Sequence, residues 1–427
     1  MRVQSATFAV LSHTAATGDD LRVDIAGCAR LLELLSLLPD PRKRRGVRHS
    51  VTALLAIAAA AVLAGSRSVL AIGEWAGEAP QQVLAALGAR RHRSGRFVAA
   101  HVDTFRRVLR VIDAAAVDTV IATFLAERAG ITILDGTDSE PDSEPEPDRD
   151  KDADADADAP IVGALAVDGK AARGARQPDG RAVYLFAAMP HGIPTVLAQR
   201  DVAHKTNEIT QLNPLLHTLN LAGWVVTLDA LHCQRETARY LVEDKHAAYV
   251  FTAAKDNQPT LLARLDALPW TDIPIGHTIH DRGHGRIERR TIQVMNAPEG
   301  IFPYARQVFL IERYVHDLAG TLTSAAAALG LTCLSARQAD PQRINTLVRG
   351  HWGIESLHWT RDVTFDEDRH QLRAGSAPQI LAGLRNLAIG ALHTAGHTKI
   401  AASLRWISRD PTRVLNILGQ PTRQAET

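Results

Sequence analysis

Two aspartates follow short apolar segments at matching positions, in a pattern suited to holding divalent cations. Asp168 follows residues 161–167, and Asp229 follows residues 224–228. An acid at the end of a buried strand is costly unless it is paired or binds a metal, and facing carboxylates repel unless a cation lies between them. Either aspartate alone would also fit a helix cap or a turn. Two of them at matching strand ends favour a metal site.

A third acid, Glu355, lies in a segment with an apolar stripe at helical spacing. It is flanked at three and four residues by two aromatic and two imidazole side chains, Trp352, His351, His358 and Trp359. This composition is typical of a groove where aromatics stack on unpaired bases and imidazoles contact phosphates. A surface helix with half-buried tryptophans is the alternative.

Four further acids could compete for the third place: Asp362, Asp366, Glu367 and Asp368. Their crowding is more typical of solvated charge or helix capping, so Glu355 is preferred. Three oxygen donors without a dedicated His/Cys set favour Mg²⁺ or Mn²⁺ over zinc. A pair of such ions would polarise a phosphodiester, activate water or a 3′-hydroxyl, and stabilise the leaving oxygen. The predicted reaction is in-line phosphodiester hydrolysis and transesterification.

The elements that must position these acids follow a recognisable order. Strands are predicted at residues 161–167, 181–189, 194–202, 224–228 and 248–253, with helices at 207–221, 235–245 and 259–268. This order is typical of an RNase H-like α/β fold, a mixed sheet flanked by helices. Alternating segments at 286–294 and 307–314 predict a β-rich insertion before the final helices.

Composition shifts divide the chain further. We expect an N-terminal tail (1–28), an all-helical, DNA-binding domain (29–134), an acidic disordered linker (135–159) and the first part of the core (160–272). The insertion (273–338), the second part of the core with the Glu355 helix (339–400) and a C-terminal tail (401–427) follow.

The formal charge of +1 over 427 residues hides an asymmetry. The linker carries twelve acidic side chains, which leaves the rest of the chain at about +11. Two basic clusters, Arg42-Lys43-Arg44-Arg45 and residues 90–96, interrupt the helical region and predict phosphate contacts, as in a helix-turn-helix-like domain. A pair of solvated loops is the alternative.

Other compositional features narrow the class of protein. The apolar run at 51–65 is shorter than the ~20 residues of a membrane span, so it predicts a buried helix. The start of the chain is a poor signal peptide, and we expect a cytoplasmic, nucleoid-associated protein without a membrane partner. Three widely spaced cysteines indicate buried free thiols.

Many segments, in order along almost the whole chain, resemble the DDE-type insertion-sequence transposases of the retroviral-integrase superfamily, in the subgroup typified by H-repeat-associated proteins. The resembling segments are PDPR (39–42), GVRHS (46–50), GEW (73–75), VDGK (167–170), HKTNEI (204–209), LDA (228–230), KDNQ (255–258), RIERR (286–290) and RGHWGIE (349–355), which runs into LHW (357–359).

The resemblance implies that Asp168, Asp229 and Glu355 are the catalytic triad and that Arg361, six residues after the glutamate, contacts transposon-end DNA. Double-stranded DNA, at transposon ends and target, is the implied partner, with a homodimer pairing two ends. Basic residues in and beside the resembling segments are also predicted to contact DNA: Lys170, Arg173, Lys205, Lys255 and Arg349.

The sequence departs from related transposases at a few places. His351 and Val348 stand where wider relatives carry arginine and tyrosine, and Ser356 follows the glutamate where asparagine is expected. Two other functions therefore stay open: a nuclease or recombinase of the same fold that does not transpose, and a DNA-binding remnant without catalysis. A nucleotide-binding enzyme is disfavoured, since no phosphate-cradling glycine-rich motif follows any strand.

Overall fold

The computed structural model describes residues 28–45, 47–132, 160–176, 180–202, 208–252, 258–283 and 285–419. The predicted linker and N-terminal tail fall almost wholly outside these residues, as do Lys205 and Lys255. The first part of the chain is helical, as its apolar periodicity predicts. Its elements are α1 (Ala29–Ser36), α2 (Val51–Leu63), α3 (Val69–Glu78), α4 (Gln81–Ala86), the hairpin β1 (Arg90–Arg91) and β2 (Phe97–Val98), α5 (Val102–Val111) and α6 (Ala114–Ala129).

Helix α2 accounts for the alanine-rich apolar run. The hydroxyl of Ser50 accepts a hydrogen bond from the Ala53 amide at 3.2 Å, so the predicted cap is present. Almost every side chain of α2 is buried, because small alanines let neighbouring helices approach it from all sides. In the described part of the chain, no helix is both long and apolar enough to cross a membrane.

The described residues of the middle of the chain form one mixed sheet of nine strands in the order β5-β4-β3-β6-β7-β11-β10-β9-β8. In its first half, β3, β6 and β7 are parallel, while β4 is antiparallel to both of its neighbours. The elements of this half are β3 (Gly163–Arg176), β4 (Ala182–Pro190), β5 (Ala198–Val202), α7 (Glu208–Leu216), β6 (Trp224–Leu228), α8 (Arg235–Arg239), β7 (Ala248–Thr252) and α9 (Pro259–Asp266).

The predicted insertion is not a separate sheet. It contributes β8 (His277–Gly283), β9 (Arg286–Asn296), β10 (Gln307–Asp317) and β11 (Leu322–Thr332), and β11 pairs antiparallel with β7 between Gly330 and Thr252. The alternation of polar and apolar residues predicted β9 and β10. Strands β8 and β11 lack that signal, since β8 is exposed and polar and β11 is rich in alanine, and ladder hydrogen bonds to their neighbours order them.

The last part of the chain is helical: α10 (Pro341–Val363), α11 (Ala377–Thr394), α12 (Ile400–Ser408) and α13 (Arg413–Leu418). The last two helices occupy most of the segment expected to be a tail. Their apolar side chains, including Leu404, Ile407 and Leu418, belong to the same buried core as α2 and α11. Burial of these side chains against distant helices stabilises a segment whose own pattern is short and weak.

Candidate active site

The two aspartates lie side by side at one level of the sheet. Parallel pairing between β3 and β6 ends at Ala166 and Thr227, and each aspartate lies two residues beyond that pair. Asp168 is not the last residue of its strand as expected, because β3 continues along β4 to Arg176. Side chains two residues apart on a strand share a face, so the register brings the carboxylates of Asp168 and Asp229 to the same region.

Helix α10 brings Glu355 to the same place. The helix packs on β3, β6 and β7 through buried side chains that include Ile354 and Leu357. Glu355 and Asp229 line one cavity of about 340 Å³. Burial, followed by the charge of Asp229, raises the pKa of the Glu355 carboxyl. Three acids from distant parts of the chain thus share one electrostatic environment.

The field at Asp168 is strongly anionic. Burial raises the pKa of Asp168 to about 7, and the charges of Glu208, Asp229 and Glu355 add to the rise. Among the described residues, one basic side chain lies within 4 Å of this carboxylate: His358, whose Nδ1 is 3.6 Å from Asp168 Oδ2. Burial lowers the pKa of His358 to about 3, so its imidazole is neutral near pH 7 and supplies no compensating charge.

Such a site suits a hard divalent cation, since buried carboxylates without a cationic partner gain most from one. Within the described residues, however, no three His, Cys, Asp or Glu side chains are already arranged to hold a metal ion. One oxygen of Asp229 is also engaged, because Oδ1 accepts the Leu231 amide at 3.0 Å and caps a short turn. The cap and the metal-site interpretations of Asp229 are therefore compatible, as no other described residue makes such a bond to its second oxygen.

A fourth acid, Glu208, lies beside the site, and the sequence pattern does not indicate it. A glutamate at the start of a helix is usually explained by its favourable interaction with the helix dipole. The Glu208 carboxylate is 2% exposed, and Oε2 lies 3.1 Å from Nε2 of His232. A Cβ built on Gly169 would collide with Glu208 Oε1 and with the Tyr184 ring. The glycine therefore makes room for these two side chains beside Asp168.

The two histidines of the Glu355 segment are buried. His351 is 4% and His358 is 8% exposed, so the expectation that they contact phosphates does not hold in this structure. His351 Nδ1 lies 3.2 Å from Thr227 Oγ1, which in turn lies 2.9 Å from His191 Nε2. These contacts join α10 to the strand that precedes Asp229 and to the turn after β4.

The tryptophans are on the accessible side of α10. Trp352 is 41% and Trp359 is 63% exposed. The guanidinium of Arg290, on β9, lies over the Trp352 ring at 4.3 Å from its centroid. Trp352 and Arg290 also line the cavity beside Asp229. The second half of the sheet, strands β8–β11, therefore contributes one wall of the site.

Several predicted DNA contacts are buried instead. Arg361 is 0% exposed, and its guanidinium forms a two-point ion pair with Glu367 at 2.8 and 2.6 Å. Lys170 is 7% exposed and lies 2.7 Å from Asp362. The resemblance indicated a DNA contact for Arg361, but Glu367 encloses the side chain together with Gln199 of β5 and Asn386 of α11. The acids after Glu355, expected to be solvated, include the buried partner of this arginine.

Other predicted contacts remain accessible. Arg173 is exposed, and so is Arg349, which forms an ion pair with Asp281 of β8 at 2.5 Å. In the N-terminal basic cluster, Lys43, Arg44 and Arg45 are exposed, whereas Arg42 is partly buried.

Comparison with known proteins bears on the family. The DDE_Tnp_1-associated model matches residues 32–125, and the Transposase DDE domain model matches residues 129–390. "Putative transposase YncI" of Escherichia coli O157:H7 is 26% identical over 380 residues, which cover 85% of this chain and 87% of the relative. "H repeat-associated putative transposase YhhI" of E. coli K12 is 24% identical over 376 residues, covering 85% and 90%.

A third relative, "Uncharacterized protein in dhlA 3'region" of Xanthobacter autotrophicus, is 31% identical over 284 residues, covering 63% of this chain and 83% of the relative. Among solved structures, a synaptic complex of the piggyBac transposase with hairpin DNA overlaps 93% of this chain and 77% of its own, with a TM-score of 0.38 and 12% identity. The family resemblance of the sequence is confirmed: because the domain model spans more than half of the residues, this chain belongs to the transposase DDE domain family.

Proposed function

We propose that this chain is a DNA transposase in which Asp168, Asp229 and Glu355 hold two divalent cations, Mg²⁺ or Mn²⁺, for phosphodiester hydrolysis and strand transfer at insertion-sequence ends. The observation that carries the proposal is the convergence of these three acids on one region where no described cation balances them. Membership of the family supports the substrate class, double-stranded DNA. Two copies of the chain would pair the two ends.

The strand order of the first half of the sheet supports an RNase H-like core. Numbered along the chain from β3, the order is 3-2-1-4-5, with the second strand antiparallel to its neighbours. In this arrangement the first and fourth strands are adjacent and parallel. Asp168 lies within the first strand, two residues beyond their pairing, and Asp229 directly follows the fourth. Strands β8–β11 are the insertion that precedes the helix of the third acid.

When bound, the cations would polarise the scissile phosphate and activate the attacking oxygen. The chain's own residues fix the geometry around them. The Leu231 amide orients the Asp229 carboxylate, and the Gly169 amide donates to the Asp168 carboxylate. Glu208 and His232 lie behind Asp168, where the buried Glu208 carboxylate adds negative charge.

The accessible face of α10 is suited to holding the DNA strand beside the acids. Trp352 and Trp359 can stack on bases exposed at a strand end. Arg349 lies on the same helix, and Arg173 lies on strand β3 with Asp168. The exposed guanidinium groups of both arginines can contact backbone phosphates.

The test uses the purified chain with supercoiled plasmid carrying the element and its natural flanking DNA. Asp168→Asn and Glu355→Gln should each abolish Mg²⁺-dependent cleavage and joining, at least a hundredfold, while DNA affinity stays within about threefold. Glu236→Gln is the matched control, because its side chain is 82% exposed and on the surface of α8. Stabilisation by Mn²⁺ in thermal unfolding should be lost in the two triad variants and kept in the control.

The products separate the alternatives. Joined strands that disappear in both triad variants support a transposase. Metal-dependent nicking without any joined product would instead identify a nuclease of the same fold. Full DNA binding with no metal-dependent cleavage by the wild-type chain would identify a non-catalytic remnant. Residual strand transfer by a folded Glu355→Gln variant would remove that residue from the triad.

A further inference from the structure

A concentrated cluster of exposed cations lies far from the acids in the sequence, on the N-terminal helical region. The loop before α2 and the β1–β2 hairpin together carry eight of them: Lys43, Arg44, Arg45, Arg48, Arg90, Arg91, Arg93 and Arg96. We call this set the basic face. Among the described residues no ion pair joins any of the eight to an acid, so all of these charges are available to a partner.

The loop and the hairpin meet although about forty residues separate them. A Cβ built on Gly88, just before the hairpin, would lie 3.9 Å from the Ala53 Cβ in the first turn of α2. The loop enters α2 at the same turn, through Ser50. Burial, and then the charges of Arg90, Arg42 and Arg48, lower the pKa of His49, so both segments act on one side chain.

The hairpin is held in a fixed position. Gln81, at the start of α4, donates from Nε2 to the Phe97 carbonyl at 3.0 Å and accepts the Phe97 amide on Oε1 at 2.8 Å. The His92 amide donates to the Arg96 carbonyl at 2.7 Å and closes the turn. Since these bonds fix the backbone, a partner that binds the arginines does not have to order it first.

Arg42 differs from its neighbours in the basic loop. Its guanidinium makes two hydrogen bonds to Asp40, at 2.8 and 2.6 Å, and a third to the His49 carbonyl at 2.7 Å. These bonds close the loop on itself. The positive charge of Arg42 is already paired, so the side chain shapes the loop while Lys43, Arg44 and Arg45 remain free for a partner.

We propose that the basic face is a single phosphate-binding surface for duplex DNA, in which the hairpin contributes as much as the loop and Arg42 acts as a brace without contacting phosphate. The identity of the polyanion rests on the proposed function. The juxtaposition of the two segments and the role of Arg42 rest on the contacts above. Unpaired cations spread over two adjoining segments suit the regular charge of a duplex, where each neutralised phosphate releases counterions.

The experiment measures affinity of the full chain for a non-specific duplex at several salt concentrations. The slope of log K against log [salt] should become shallower by about 0.9 for each phosphate contact removed. Arg90→Gln/Arg91→Gln and Lys43→Gln/Arg44→Gln should each flatten the slope by about one to two. Arg42→Gln should lower the affinity but change the slope by less than about half of the value for one phosphate contact.

The matched control is Arg405→Gln/Arg409→Gln. Both arginines are exposed on or just after α12, and Leu404 of that helix lies near Gly65, at the opposite end of α2 from the basic face. This pair should leave the slope unchanged. A hairpin variant with the wild-type slope, or an Arg42→Gln slope flattened as much as that of the loop double variant, would overturn the proposal.

The outcome is independent of catalysis. Cleavage and joining test the proposed function, whereas the slope is measured on non-specific DNA without metal. If the wild-type chain neither cleaves nor joins DNA but the variants change the salt slope as expected, the proposed function fails and the basic-face proposal holds. If the chain is active but the variants leave the slope unchanged, only the basic-face proposal fails. Binding of poly-glutamate through the hairpin arginines, with no binding of DNA at low salt, would identify an acidic protein partner and overturn the assignment to DNA.

Discussion

Glu367 links the segment after Glu355 to α10, α11 and β3 through buried ion pairs. The substitution Glu367→Gln tests how much these ion pairs contribute to stability. Arg361 and Arg385 reach the Glu367 carboxylate at 2.6 and 3.0 Å, and Lys170 lies at 3.7 Å. Exposure of these side chains is 2% for Glu367, 0% for Arg361, 2% for Arg385 and 7% for Lys170. Glu367 therefore pairs with two buried arginines, from α10 and α11, and also faces Lys170 of β3, whose closer partner is Asp362 at 2.7 Å.

Removing the charge leaves those cations without their common partner. Breaking a buried ion pair by removing one member costs about 3–5 kcal/mol, since the remaining charge stays buried and unpaired. Glutamine keeps one carbonyl acceptor, so we expect the free energy of unfolding to fall by about 3 kcal/mol, near the lower end of that range. Against a typical total of about 5–15 kcal/mol, the loss is readily measured.

The assay is urea unfolding followed by circular dichroism. Asp366→Asn is the matched control: it makes the same charge change one residue earlier, at a 38% exposed side chain 3.7 Å from an exposed Arg369. Its effect should stay within about 0.5 kcal/mol. The double variant Arg361→Met/Glu367→Met should recover part of the loss, because it removes charges from both sides.

The pH dependence has a definite sign. Burial alone would raise the pKa of Glu367, but the charges of Arg361 and Arg385 outweigh it and hold the pKa well below the ordinary 4.5. A lowered folded-state pKa contributes stability above the unfolded value and loses it as the pH falls below. The gap between wild type and Glu367→Gln should therefore be full above pH 4.5 and shrink below it. A wild-type-like unfolding curve for Glu367→Gln at pH 7 would refute the reasoning.

Two further predictions concern α10 and α6. Gly350→Ala should destabilise the protein by about 1–3 kcal/mol despite its better helix propensity, because the new methyl group would collide with the His191 ring. Gly353→Ala, three residues on, meets only the flexible end of a methionine and should be neutral or slightly stabilising; equal unfolding midpoints for the two variants would contradict the packing. Burial raises the pKa of Asp118 to about 7 from 3.8, so wild-type stability should fall as the pH rises between those values, by up to about 4 kcal/mol. Melting temperatures of Asp118→Asn should be flatter over that interval, and parallel curves for the two proteins would exclude the effect.

The local elements and the candidate chemistry could be predicted from patterns among neighbouring residues. The apolar runs before Asp168 and Asp229 form β3 and β6, and the stripe around Glu355 lies on α10. These predictions succeed because side-chain period and capping are properties of neighbours in the chain. The strand register then puts the two aspartates at one level, as matching positions on parallel strands require.

The accessibility of the charged side chains, in contrast, depends on packing between distant segments. Four polar side chains were expected at the surface from the sequence, but segments distant in the chain bury them: Arg361, Lys170, His351 and His358. In the sequence, Glu208 has the pattern of an ordinary first residue of a helix. In the structure, β3 and the turn after β6 bury its side chain. Burial of a polar group depends on partners far along the chain that satisfy its hydrogen bonds and charge, and no local pattern encodes those partners.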